Sequence, residues 1–112
     1  MNQIDPIHVS ASFLEELHRI DEKIGMSAAY TFALVAVSPG IRCPDPVRRL
    51  RVDRSTIHRV KDRLQDEYRL IRAVQEDFGR REFRLYLSPI GAELCERVRS
   101  YWARPINPDG EA

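Results

Sequence analysis

The sequence of 112 residues predicts one mainly α domain that carries a small β-hairpin. Three observations predict it. Apolar residues recur at helical spacing from Phe13 to Leu64, the period drops to two between Leu70 and Leu87, and helical spacing returns behind Ser88-Pro89. With 43% hydrophobic and 31% charged residues the chain has the apolar content of a folded protein, and its length suits a single core. The expected domain covers residues 1–104, with a polar tail over 105–112.

Each element has a local reason. Ser12-Phe13-Leu14-Glu15 has the form of a capping box, and Phe13, Leu17, Ile20 and Ile24 follow on one face until Gly25 offers a stop. Ser27 is the expected cap of a second helix through Val37, apolar on nearly every side and therefore central, which Pro39-Gly40 ends. A short helical segment between Pro44 and Arg51 precedes Asp53, which can cap a longer helix over 54–67. In that helix Ile57, Val60 and Leu64 share one side, while Ser55, His58, Arg59 and Asp62 share the other. Leu70, Ile71, Ala73 and Val74 form one strand and Phe83, Leu85 and Leu87 a second, joined by a cationic tip at 76–81. Ser88-Pro89 opens the last helix, with Ile90, Leu94, Val98 and Tyr101 or Trp102 along one stripe.

Charge is unevenly spread. The net value of +1 resolves into −3 over residues 1–41, +5 over 42–84 and −1 over 85–112, and 16 of the 18 basic residues are Arg. A cationic middle rich in guanidinium groups points to a phosphate-bearing partner. The longest apolar candidate, Ala33–Val37, is far too short for a bilayer, and the N-terminus lacks the order of a signal peptide, so a cytoplasmic protein without a membrane partner is expected. Cys43 and Cys95 stand alone, which excludes a zinc knuckle and a disulfide framework. Cys43 beside Arg42 is either a reactive thiolate or packing, and Cys95 is expected in the core or an interface. His18 with Glu15 and Glu22 has helical metal-ligand spacing, but such trios also populate solvated faces, and no metal or cofactor is expected. Neither a phosphate-cradling glycine loop nor a nucleophile elbow nor a His-Glu-x-x-His run is present, so the chain is not expected to be an enzyme.

The order helix, helix, short helix, tight turn, longer helix, hairpin, helix is that of a winged helix-turn-helix. In that arrangement the helix over 54–67 enters the major groove of double-stranded DNA, and the hairpin reaches the backbone or minor groove. Arg54, Ser55, Thr56, His58 and Arg59 on the helix, with Arg80 and Arg81 on the wing, are the expected DNA contacts. His58 either reads a base edge or is simply exposed; Arg48, Arg49 and Arg51 either touch phosphates or are solvated.

Asp53-Arg54-Ser55-Thr56-Ile57-His58-Arg59-Val60-Lys61-Asp62-Arg63-Leu64 resembles the recognition helix of the bacterial multiple-antibiotic-resistance regulators, the MarR family, commonly written D-R-S-T-V-S-R-L-V-D-R-L. Gly79-Arg80-Arg81 through Leu87-Ser88-Pro89-Ile90-Gly91 resembles that family's wing and the entry to its next helix. The resemblance covers roughly 27–98. It implies a homodimeric transcription regulator, a repressor in the expected case, that binds a palindromic operator, with Ser55, Thr56 and Arg59 in the groove and Arg81 at the wing tip. A small-molecule effector is common in the family, but no residue here argues for one. Two departures are visible: Gly79 stands where the family usually has an aspartate, and the family's long C-terminal dimer helix is missing, since Pro105 and Pro108 follow soon after Trp102. A homodimer is still expected, with Ile4, Ile7, Phe13, Leu17, Val98, Tyr101 and Trp102 at its interface. The alternative is a winged helix that docks another protein and binds no specific DNA; Asp62 and Asp66 on the outer face of the helix keep it open.

Overall fold

The computed structural model describes residues 5–43, 45–76 and 83–101. Five helices and three strands follow the expected order, with one strand that no pattern announced.

Helix α1 spans Pro6–Ile20, so it begins and ends earlier than the sequence suggests. Asp5 caps it, its Oδ1 accepting from the Ile7 N–H at 2.9 Å, and Pro6 presets the first turn. Ser12 is not the cap but a buried residue inside the helix, and its Oγ donates back to the His8 carbonyl at 3.1 Å. The helix stops at Asp21, whose Oδ1 takes the Lys23 N–H at 2.9 Å and turns the chain before Gly25 is reached. Helix α2, Met26–Val37, has Gly25 at its cap position with no side-chain hydrogen bond; the expected cap Ser27 lies within its first turn. As its all-round apolarity predicted, α2 is central: Ala28, Ala29, Phe32, Leu34 and Val35 are buried.

Strand β1 (Ile41–Arg42) comes next, then α3 (Asp45–Leu50). Arg51, at φ 57°, sits in the left-handed region and reverses the chain into α4, Arg54–Asp62. The expected helix does run on to Glu67, but its last stretch, Arg63–Glu67, is a π-helical turn closed by Tyr68 N–H on the Arg63 carbonyl at 2.9 Å. β2 (Ile71–Gln75) and β3 (Phe83–Leu87) form the hairpin, with Ile71 opposite Leu87 and Gln75 opposite Phe83. β1 adds to the other side of β3, Ile41 opposite Leu85, giving an antiparallel sheet of order β1-β3-β2. Helix α5, Pro89–Ser100, starts as predicted: Ser88 Oγ accepts from the Gly91 N–H at 3.0 Å.

One core joins these elements. Leu17, Phe32, Val35, Ile57, Leu64, Leu70, Ile71, Leu85 and Leu94 are wholly or almost wholly buried, and burying side chains of this size stabilises each by about 1.5–3 kcal/mol. Gly91 lets α5 meet the sheet, because a Cβ there would lie 2.0 Å from the Leu70 carbonyl oxygen. Glu16, buried on α1, reaches Arg97 of α5 at 3.4 Å and so ties the two flanking helices together. Among the described residues no helix is long and apolar enough to cross a membrane.

Candidate nucleic-acid interface

Asp53 fixes where α4 begins. Its Oδ1 accepts from the Thr56 N–H at 2.8 Å and from the Ser55 hydroxyl at 2.7 Å. Those bonds, the one from Ser55 foremost, hold its carboxyl at about 2, below its ordinary 3.8. The far end of the helix is anchored as well. Tyr68 Oη donates to Asp21 Oδ2 at 2.6 Å, and Arg63 donates to the same hydroxyl at 2.6 Å, joining the π-turn to the end of α1. Burial and then the Asp21 carboxylate push the Tyr68 hydroxyl up to about 12, so it remains a donor. Gln65 Oε1 accepts from the Ala73 N–H at 2.7 Å and pins the same turn to β2.

Between these anchors α4 buries Ile57 against the core and exposes Arg54, Ser55 and Arg59. Thr56 is half-buried, and its Oγ1 accepts from Arg59 Nη2 at 3.3 Å, so the two lie one turn apart on the outer face. The outer face is therefore short and polar at its start and cationic just beyond. A helix of this kind can enter a groove about 12 Å wide, approach phosphate with its first turn and offer a guanidinium to base edges.

Neither a protein-family model nor a curated protein matches the sequence. Solved structures do match. The transcriptional regulator Tm0710 from Thermotoga maritima superposes with a TM-score of 0.67 at 19% identity, over 84% of this chain and 64% of its own. MarR superposes at 0.61 with 24% identity, over 87% of this chain and 72% of its own. MepR, described as a transcription regulator of the Staphylococcus aureus multidrug efflux pump MepA, gives 0.62 at 17% identity, over 87% and 70%. The chain has the MarR-like winged-helix fold. It spans 64% of the length of Tm0710.

Within this MarR-like frame the expected site residues divide. Arg54, Ser55, Thr56 and Arg59 come together on the first two turns of α4. His58 turns aside: it is half-buried, its Nδ1 lies 3.9 Å from Cys43 Sγ, and its ring meets Phe83 edge-on at 6.5 Å. Arg80 and Arg81 lie outside the described residues, as do Ile4 and Trp102. Of the residues expected at a dimer interface, Leu17 is 0% exposed and serves this chain's own core, while Val98, also buried, keeps an edge on the groove between the flanking helices. Phe13 is half-buried and stacks on Phe32 with ring centroids 5.8 Å apart, Tyr101 is half-buried, and Ile7 is 78% exposed. Cys43 is buried and burial pushes its thiol up, which favours packing, the second of its two expected roles. Cys95 is buried as expected.

Sequence reasoning missed Lys61. Its ammonium lies 3.8 Å from the centre of the Phe83 ring and 3.2 Å from Asp62, buried between α4 and the root of the wing. The signal was available: Lys61 stands four residues after Ile57 and three before Leu64, a cation on the inward stripe.

Proposed function

We propose that this chain is a dimeric DNA-binding transcription regulator, a repressor in the simplest case, that reads the major groove with the helix over 54–67. The observation that carries the reading is the exposed, locally braced first half of α4, where Arg54, Ser55 and Arg59 point away from the core. Structural neighbours described as transcription regulators, Tm0710 and MepR, support it. Ser55 and Thr56 let the helix start approach the backbone, and Arg59 supplies the base contact. Arg80 and Arg81 contact the backbone or minor groove beside it, while His58 holds α4 against the wing and is not counted among the readers.

A dimer follows from the size of the reader. One helix contacts few base pairs, whereas a two-fold pair contacts two half-sites about 34–36 Å apart. The flanking helices offer a surface for it: an apolar groove of about 280 Å3 lined in part by Val9, Phe13, Ala36 and Val98, with Ile7 and Val37 exposed nearby.

Gel-shift titration on promoter fragments tests the reading. Arg59→Ala is expected to cost about 1–3 kcal/mol on a specific site, while Arg81→Ala weakens every duplex alike and lowers the salt dependence. Equal binding by wild type and the double variant at every salt concentration would contradict the residue roles. Loss of all duplex binding, together with stoichiometric capture of one protein partner, would favour a docking module instead.

A further inference from the structure

Arginines from four elements converge on one concavity at the start of α4. Its volume is about 500 Å3, and Arg42 of β1, Arg48 of α3, Arg54 of α4 and Arg84 of β3 line it, with Gly40, Ile41 and Asp45. Arg84 is fixed in place: its Nη1 donates to the Gly40 carbonyl at 3.0 Å, and its Nε donates to the Glu76 carboxylate. Arg42, Arg48 and Arg54 are exposed and have no ion-pair partner among the described residues. Asp45 is the single carboxylate in the lining. Gathering guanidinium groups around one hollow costs mutual repulsion, which an anion seated among them removes.

The position says which anion. A helix about 10–12 Å across nearly fills a major groove about 12 Å wide, so phosphates of both strands run along its flanks. The concavity lies on such a flank, between the first residue of α4 and the elements beside it, α3 and β1. Its lining is mostly guanidinium and offers little apolar wall against which a drug-sized organic anion could be buried. The planar donor fork of Arg matches phosphate oxygens in pairs.

We propose that this concavity seats a phosphodiester of the DNA backbone, with Arg42 and Arg48 as donors, Arg54 closing it from α4 and Arg84 as its fixed wall. The inference rests on the DNA-binding reading and adds a contact outside the reading face of α4. Arg42 and Arg48 register the helix in the groove and carry no base information.

The test is fluorescence-anisotropy titration of a labelled duplex against sodium chloride, using wild type, Arg42→Gln, Arg48→Gln and the double variant. Arg19→Gln removes the same charge from α1 as a control. Both site substitutions remove exposed groups that have no ion-pair partner among the described residues, so wild-type melting is expected to persist. Each is expected to lower the slope of log affinity against log salt by about 1, the double variant by about 2, equally for every duplex sequence, while Arg19→Gln leaves it unchanged. A wild type that binds DNA with the same slope as the double variant overturns the phosphate site and leaves the DNA-binding reading standing. If inorganic phosphate raises the melting temperature of the wild type but not of the double variant, while the slopes stay equal, the hollow takes a free anion and the backbone assignment is overturned. A wild type that binds no duplex at any salt concentration overturns both.

Discussion

Asp53 bears on both stability and function, because one carboxylate oxygen ends the turn after α3, starts α4 and fixes Ser55 and Thr56 where a groove would meet them. Hydrogen bonds to its charged form depress its folded pKa to about 2 from 3.8. The sign of the pH dependence follows. The contribution is complete above the ordinary carboxyl pKa and fades as pH falls from 3.8 through about 2, where the folded state must also take up the proton. Urea melts of wild type and Asp53→Ala are therefore expected to differ by a constant amount near neutrality and to converge in that acid window. A difference independent of pH would contradict the cap. Gly91 gives a second prediction at this scale. A methyl group there would press on the Leu70 carbonyl at the point where α5 meets the start of β2, so Gly91→Ala should destabilise by about 1–3 kcal/mol or more. Unchanged denaturant midpoints would show that the two elements part easily.

At the scale of elements, what could be read depended on whether pattern or context sets the boundary. Helix α2, the Asp53 cap, the hairpin and the Ser88-Pro89 start were all legible, because each carries a strong local signal that tertiary packing supports. The start of α1 was misplaced because two cap sequences compete there. Asp5-Pro6 wins, and Ser12 then satisfies its hydroxyl inside the helix. β1 has two residues and no period to detect; only its pairing with β3 defines it. The π-turn over Arg63–Glu67 is likewise set by its anchors, Tyr68 on Asp21 and Gln65 on β2, which lie outside the helix pattern. In the candidate site the outer residues of α4 were legible from spacing, and so was the inward position of Lys61, but the partner that Lys61 and His58 share was not, because Phe83 is distant in sequence. The seam they form gives a third prediction. A double-mutant cycle on Lys61→Met and Phe83→Leu should return a coupling of about 0.5–2 kcal/mol, the range of a cation held over an aromatic face. Additive losses would mean that the wing root is held to α4 by packing alone.

For the whole molecule, the charge division read from the sequence follows the architecture: the cationic middle holds α3, α4, β2 and the start of β3, and the acidic ends supply α1, α2 and α5. The proposed reading surface and the apolar groove thus lie on different parts of one chain, the first on α4 and the second between α1, α2 and α5. Ile7 and Val37 are 78% and 74% exposed, so Ile7→Glu with Val37→Glu should leave the fold intact and turn the dimer into a monomer in sedimentation equilibrium at micromolar concentration. A wild type that sediments as a monomer, with and without a palindromic duplex, would remove the dimer. The central claim, sequence-specific binding of double-stranded DNA by α4, is tested most directly by selecting bound duplexes from a random pool with wild type and Arg59→Ala in parallel. The account predicts that wild type enriches a two-fold symmetric sequence with half-site centres one helical turn apart and that Arg59→Ala relaxes the preference at one position in each half. Absence of any enriched sequence from the wild-type pool, or identical enrichment by both proteins, would contradict it.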